Sequence, residues 1–202
     1  MKKRLKINGL IMFIAVVAIV FFPAIFFRRS NSYLYDGIME ITGIVLILLG
    51  QLLRVSARGY KSEHSNNSRS LIQGGPYALV RNPMYLGILL IGLGIVAILF
   101  KWWVVGIFLL VFIIRYQLLI FKEEKKLAAL FPGTYQDYQR SVPRILPSIS
   151  MIAKKDVGEY LPLKLSWLKK EIGSVLTVLF ITLVLESWED VKAEGIRAYS
   201  KE

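Results

Sequence analysis

Apolar residues fall in long, nearly unbroken blocks along this chain, and polar residues are concentrated between the blocks. A bilayer core of about 30 Å is crossed by roughly 20 helical residues, and about 17 suffice when flanking residues contribute. Four blocks reach that length, and a fifth is shorter and could either span the membrane or lie at its interface. The pattern predicts an all-α integral membrane helical bundle of about five transmembrane helices, over residues 7–27, 37–54, 83–100, 102–121 and 172–188.

The third and fourth blocks are separated by Lys101 alone, which predicts a tight antiparallel hairpin of the two spans. Both arms of the hairpin carry small residues that permit close backbone approach. These are Gly87, Gly92, Gly94 and Gly106. The fourth helix is predicted to continue past the membrane to Leu130, where Phe131-Pro132-Gly133 stops it.

Charge indicates which ends of the helices face the cytoplasm. The formal net charge is +12, and four cations precede the first block. The positive-inside rule therefore places the N-terminus in the cytoplasm. We expect the membrane to be a bacterial or archaeal cytoplasmic membrane. Residues 54–81 are predicted to form a cytoplasmic loop, because they hold five cations against Glu63 alone. Since these cations lie beside membrane spans, we expect them to bind anionic lipid rather than nucleic acid.

Residue types exclude several chemistries. The sequence contains no cysteine, which excludes disulfides, thiol catalysis and thiolate metal sites. His64 is the single histidine, and we interpret it as a solvated loop residue, because one histidine forms neither a metal site nor a catalytic triad. No metal site is predicted. The first apolar block is too long for the core of a signal peptide, so we interpret it as a retained span.

The stretch 74–87 is the first candidate for a functional site, because it joins the polar loop to the third apolar block. Asn82 and Pro83 form a favourable helix start, with Asn as the N-cap and Pro at the first helical position. Free backbone N–H groups at such a start favour anionic or polar ligands. The alternative is that a membrane helix simply begins here, with Arg81 on lipid phosphate and Tyr85 in the interfacial aromatic belt.

Charged residues of the fourth helix are the second candidate. Glu123 and Glu124 follow its apolar part, and successive residues differ in direction by about 100°. One carboxylate can therefore face the hairpin and accept hydrogen bonds from a ligand, or both can be solvated charges at a helix end. Arg115 lies about two turns deeper, where it either extends to the inner surface or holds a carboxylate or phosphate inside the bundle.

Several motifs in order resemble one superfamily of membrane enzymes, the isoprenylcysteine carboxyl methyltransferases and phospholipid methyltransferases. The resemblance covers residues 44–147. It rests on Gly50-Gln51-Leu52-Leu53-Arg54, Gly75-Pro76-Tyr77, Val80-Arg81-Asn82-Pro83-Met84-Tyr85-Leu86-Gly87, Glu123-Glu124, Phe131-x-x-x-Tyr135, Tyr138 and Val142-Pro143-Arg144.

The resemblance implies an S-adenosylmethionine cofactor held on the cytoplasmic side and a lipid-like acceptor that enters from the bilayer. By position it implies a cofactor site of Tyr77, Arg81, Asn82, Pro83, Tyr85, Gly87, Glu123, Glu124, Tyr135, Tyr138 and Arg144. We expect direct methyl transfer, with Glu123 or Glu124 taking a proton if the acceptor is an amine and Arg115 as a further catalytic candidate.

The resemblance leaves the acceptor open. Prenylcysteine enzymes carry an Arg-His-Pro motif, whereas Asn82 is closer to the Asn-Pro-Met-Tyr of phospholipid methyltransferases. The acceptor group could be a phospholipid amine, a carboxylate or a thiol. Two alternatives of other classes remain: an NADPH-dependent enzyme resembling sterol reductases, which share the loop and tail motifs, and a non-catalytic lipid-binding protein. The sequence does not indicate the oligomeric state.

Overall fold

The computed structural model describes residues 23–28, 33–65, 70–148 and 157–199. Every regular element within these ranges is a helix, which confirms the all-α prediction for this part of the chain. The predicted first span, 7–27, lies mostly outside the described residues. The helices are α1 (Pro23–Phe26), α2 (Tyr33–His64), α3 (Pro76–Leu79), α4 (Pro83–Leu99), α5 (Trp102–Leu130), α6 (Thr134–Ser141), α7 (Val157–Tyr160) and α8 (Leu165–Tyr199).

Two of the described helices, α2 and α5, are long and apolar enough to cross a membrane. Helix α4 is equally apolar but has 17 residues, and α8 contains the predicted fifth segment. The number of spans therefore stays a prediction. At 1.5 Å per residue, the 32 residues of α2 extend about 48 Å, which exceeds a bilayer core of about 30 Å. One end of α2 must therefore project beyond the hydrocarbon.

The closest helix pair is α2 with α4, and it meets at two pairs of glycines. A Cβ atom built on Gly50 would lie 2.7 Å from the carbonyl oxygen of Gly87, and one built on Gly94 would lie 2.5 Å from that of Gly43. Both distances are too short for a side chain, so the two backbones approach closely only because hydrogen occupies these positions. Seven residues separate the glycines on each helix.

This packing corrects the expected role of the hairpin glycines. Gly87 and Gly94 face α2 rather than α5, and a Cβ on Gly106 would meet no atom of the described residues within 4 Å. Only Gly92 of the four lies against α5, where the ring of Phe108 covers it. Glycine spacing identifies a surface for close approach but not the partner helix, because any neighbouring helix can use it.

The ends of α4 and α5 away from the candidate site are held by the segment around α1. Arg28 donates to the carbonyl oxygen of Ala97 at 2.9 Å, and the ammonium of Lys101 donates to that of Ala24 at 2.7 Å. Phe27 stacks on Phe100, with ring centroids 5.0 Å apart. These contacts fix the two-residue turn between α4 and α5.

The polar loop predicted for residues 54–81 begins at Ser65, eleven residues later than expected, because α2 continues to His64. The C-terminal part of the chain packs on this extension and buries one of its faces. Trp167, 3% exposed, lies directly on Gly59, and Ser56 donates to the carbonyl oxygen of Pro162 at 2.7 Å. His64 is exposed as predicted, but it lies at the end of a helix and not in a loop.

Candidate functional site

A buried carboxylate organises the polar residues at the end of α5. Glu124 is only 4% exposed, and the guanidinium of Arg144 contacts both of its oxygens, with Nη2 to Oε2 at 2.8 Å and Nε to Oε1 at 3.3 Å. Arg81 approaches Oε1 at 3.4 Å, and the Asn82 amide lies at 3.5 Å. Two guanidinium groups compensate the buried charge, which would otherwise be strongly unfavourable.

Backbone hydrogen bonds join the same segments. The N–H of Arg81 donates to the carbonyl oxygen of Pro143 at 2.8 Å, and that of Asn82 donates to the carbonyl oxygen of Arg144 at 3.2 Å. The Asn82 side chain donates to the same Arg144 oxygen at 3.1 Å rather than to the backbone of α4. Asn82 is thus the residue before α4, as predicted, but its amide connects α4 to the segment after α6.

Three tyrosines, Tyr77, Tyr135 and Tyr138, pack next to the polar residues around Glu124. Tyr138 Oη donates to the carbonyl oxygen of Tyr77 at 2.6 Å, and Tyr135 and Tyr138 are buried with Val142 against α5. Burial raises the pKa of Tyr77, Tyr135 and Tyr138 above the ordinary value of 10.0. All three hydroxyl groups therefore stay protonated at neutral pH, and that of Tyr138 donates the hydrogen bond to Tyr77.

A cavity of about 440 Å³ opens beside these residues. Its volume lies within the range of about 300–1,000 Å³ that is usual for small-molecule sites. Seven of the sequence-predicted residues line it: Tyr77, Arg81, Asn82, Pro83, Tyr85, Glu123 and Tyr138. The structure thus brings the motif at the start of α4, one carboxylate of α5 and one tyrosine of α6 to a single concave surface.

The two adjacent glutamates point in different directions. Glu123 is exposed, lines the cavity and accepts a hydrogen bond from Tyr85 Oη at 3.0 Å. Glu124 points to the protein interior and lies behind the cavity wall. The helical rotation of about 100° between neighbours explains the difference. Glu123 can contact a ligand, whereas Glu124 holds the wall.

The other predicted residues do not line the cavity. Tyr135 and Arg144 support it from behind through the contacts given above. Gly87 lies at the α2–α4 interface, where a Cβ would meet the side chain of Arg54. Arg115 is exposed on α5 and lies apart from the cavity.

Several cavity residues were not predicted from the sequence. They are Lys61, Ser65, Ser70, Leu71, Ile72, Met84, Ile88, Lys126, Leu127, Leu130 and Phe131. Leu127, Leu130 and Phe131 follow Glu123 at the spacing of one helix face, and that periodicity could have identified them. Leu71 and Ile72 lie in a non-helical segment, which carries no such signal.

Comparison with known proteins supports a relationship with membrane methyltransferases. A family model described as phospholipid methyltransferase matches residues 38–134. The cobalt-zinc-cadmium resistance protein CzcN of Cupriavidus metallidurans is 28% identical over 154 residues, which cover 76% of this chain and 68% of that protein. No solved structure matches the chain.

A second relative is named as an enzyme. Protein-S-isoprenylcysteine O-methyltransferase of Schizosaccharomyces pombe is 30% identical over 132 residues, which cover 60% of this chain and 56% of the yeast protein. This chain therefore spans little more than half the length of that relative. The family-model match includes the cavity residues from Lys61 to Phe131. These matches make the chain similar to the isoprenylcysteine carboxyl methyltransferase and phospholipid methyltransferase superfamily of integral membrane proteins.

Proposed function

We propose that this protein is an S-adenosylmethionine-dependent methyltransferase that acts on a lipid-like or membrane-soluble acceptor at the cytoplasmic side of the membrane. The observation that carries the proposal is the shared cavity. It is lined by the Asn-Pro-Met-Tyr motif at the start of α4 and by Glu123 on α5, two parts of the superfamily pattern that lie 38 residues apart.

The cavity residues fit the chemical groups of this cofactor. Glu123 offers a carboxylate that can accept hydrogen bonds from ribose hydroxyls or from the amino group of the methionine part. The aliphatic and aromatic part of the lining provides apolar contacts for an adenine ring. It includes Leu71, Ile72, Leu127, Leu130 and Phe131. When bound, S-adenosylmethionine supplies an electrophilic methyl group on a sulfonium centre.

The protein's own contribution is positioning and exclusion of water. Arg81, Asn82 and Tyr138 are anchored by Glu124, Pro143, Arg144 and Tyr77, so the cavity wall is held before a ligand binds. Alignment of reacting atoms can lower a barrier by about 7–11 kcal/mol, and no covalent enzyme intermediate is then needed.

The need for a general base depends on the acceptor. An amine releases a proton as the new N–C bond forms, and Glu123 is the carboxylate in the cavity wall that can take it. Glu124 is unsuited to this role, because Arg81 and Arg144 already occupy its oxygens. A carboxylate or thiolate acceptor needs no base. Arg115 is left out of this proposal, since it lies away from the cavity.

Binding and transfer measurements on the purified protein test the proposal. Titration calorimetry with S-adenosylhomocysteine should show binding, and a methyl label from S-adenosylmethionine should enter the organic phase of a total lipid extract. The control variant is Lys122→Met, which removes an exposed cation outside the cavity lining. Binding of NADPH in place of S-adenosylhomocysteine would favour the reductase alternative. Failure to bind either ligand would favour a non-catalytic lipid-binding protein.

A further inference from the structure

Two side-chain nitrogen atoms of α2, one on the buried Gln51 and one on the half-buried Arg54, are buried beside α4 without hydrogen-bond partners among the described residues. Gln51 is 6% exposed, and its Nε2 has no hydrogen-bond partner. Arg54 lies three residues further along the same helix face, and its buried Nε also has no partner. Unsatisfied donors in a protein interior are unfavourable, and intramembrane ionisable groups usually mark binding sites or pathways.

The charge of Arg54 is not neutralised by a close carboxylate among the described residues. Glu171 on α8 attracts the charge of Arg54, but both oxygens of Glu171 are held by Arg58 Nη1, at 2.6 and 2.7 Å. The charge of Arg54 interacts with Arg58, Glu171 and Tyr116. Two cations thus share one acid at this place, which leaves an excess positive charge between α2, α5 and α8.

The position of Arg54 connects it to the candidate cavity. Its Cγ and Cδ atoms lie against Gly87, where any larger residue would displace them. Tyr116 on α5 lies beyond, with its ring centroid 5.3 Å from that of Tyr85. Tyr85 in turn lines the cavity and donates to Glu123. Tyr116 and Tyr85 therefore connect the surroundings of Arg54 to the cavity, which neither Arg54 nor Gln51 lines.

We propose that Arg54 and Gln51 bind the anionic group, phosphate or carboxylate, of the membrane-soluble acceptor. This inference rests on the proposed function and deepens it, because it assigns a charge to the substrate and a place for that charge. A guanidinium suits the role, since its planar array of donors matches phosphate and carboxylate oxygens. Gln51 adds an amide donor on the same side, and Gly87 provides the space through which the Arg54 side chain passes.

Lipid retention by the purified protein tests the assignment. The full chain is incubated in phosphatidylcholine nanodiscs that contain phosphatidic acid or its uncharged counterpart diacylglycerol, and bound lipid is counted by native mass spectrometry. A second pair of probes, oleate and oleyl alcohol, tests a carboxylate in place of a phosphate. We expect the wild type to prefer at least one anionic probe over its uncharged counterpart, and Arg54→Met to reduce that preference by tenfold or more.

Matched variants distinguish the effect of losing the charge of Arg54 from the effect of disturbing the fold. Arg54→Lys should retain part of the preference, Gln51→Leu should weaken it several-fold, and the exposed control Lys122→Met should leave it unchanged. If Arg54→Met does not fold, Gln51→Leu alone decides the result. Inorganic phosphate at 10 mM should not compete; competition would identify a soluble anion as the ligand and overturn the assignment to a membrane-soluble molecule.

The affinity for S-adenosylhomocysteine distinguishes failure of this inference from failure of the proposed function. We expect Arg54→Met and Gln51→Leu to keep it within about twofold of wild type. A tenfold loss in either variant would show that the buried donors bind the cofactor instead, and would overturn the inference. Unchanged lipid preference in folded Arg54→Met and Gln51→Leu would also overturn it. Absence of S-adenosylhomocysteine binding by the wild type would instead contradict the proposed function.

Discussion

The buried carboxylate of Glu124 is held by Arg144, whose Nη2 lies 2.8 Å from Oε2, and this contact connects the last turns of α5 to the segment after α6. Its neighbour Glu123 makes no such contact and faces the cavity. The paired glutamates of the motif thus differ in position, since Glu124 lies in the wall and Glu123 lies at the surface of the cavity.

Replacement of each glutamate should therefore have a different effect. Glu124→Gln leaves two guanidinium groups without their counter-charge, and breaking a buried ion pair in this way costs about 3–5 kcal/mol of the free energy of unfolding. Glu123→Gln should leave stability nearly unchanged but weaken S-adenosylhomocysteine binding about tenfold, since a charge-assisted hydrogen bond to the ligand becomes a weaker neutral one. Thermal unfolding in detergent and titration calorimetry measure the two effects. Equal loss of affinity with unchanged stability in both variants would contradict this division.

Close contact of α2 and α4 predicts a strong effect of one methyl group at Gly50. The Cβ of Gly50→Ala would lie 2.7 Å from the Gly87 carbonyl oxygen, so the helices must separate. Such overpacking typically costs about 1–3 kcal/mol. Gly106→Ala is the matched control, because nothing lies within 4 Å of its Cβ and alanine favours a helix by about 0.5–1 kcal/mol. In thermal unfolding, the melting temperature of Gly106→Ala should equal or exceed that of the wild type, and that of Gly50→Ala should be lower. The reverse order of melting temperatures would show that the close contact between the glycines is absent.

The hydrogen bond from Tyr138 to the Tyr77 carbonyl predicts a smaller loss. Tyr138→Phe keeps the ring in its buried cluster but removes the 2.6 Å contact, which should cost about 0.5–1.5 kcal/mol of unfolding free energy. Tyr33 is exposed, so Tyr33→Phe serves as the control and should leave the free energy of unfolding unchanged. Thermal unfolding measures both. If Tyr138→Phe leaves the free energy of unfolding unchanged, the Tyr138 hydroxyl group does not stabilise the cavity wall.

Burial of Tyr77 and Tyr138 also predicts a pH dependence. Their pKa values are raised in the folded state above the ordinary 10.0, so the folded protein holds these protons more tightly than the unfolded chain. Their stabilising contribution is complete below about pH 10 and is lost as pH rises from there through the folded pKa. Ultraviolet titration measures tyrosinate formation directly. Tyr138→Phe should not reduce the absorbance change around pH 10, whereas a smaller change would show that Tyr138 ionises normally.

Local sequence features identified much of the site because they are local in origin. Asn82-Pro83 defines the start of α4, Phe131-Pro132-Gly133 ends α5, and the rotation between Glu123 and Glu124 follows from helix geometry alone. The helix extension to His64 was missed. Its polar residues resemble a loop, and only the packing of Trp167 on Gly59, more than 100 residues away, explains the buried face.

The sequence by itself predicted an all-helical membrane protein that resembles the methyltransferase superfamily, because apolar block length and motif order need no knowledge of distant contacts. Only the tertiary structure decided that Gly87 packs on α2, that Glu124 is an interior anchor while Glu123 lines the cavity, and that Arg115 lies apart. Helical periodicity gives the relative direction of side chains on one helix. Which direction faces a neighbour is set by long-range packing of α2, α4, α5 and the C-terminal segments.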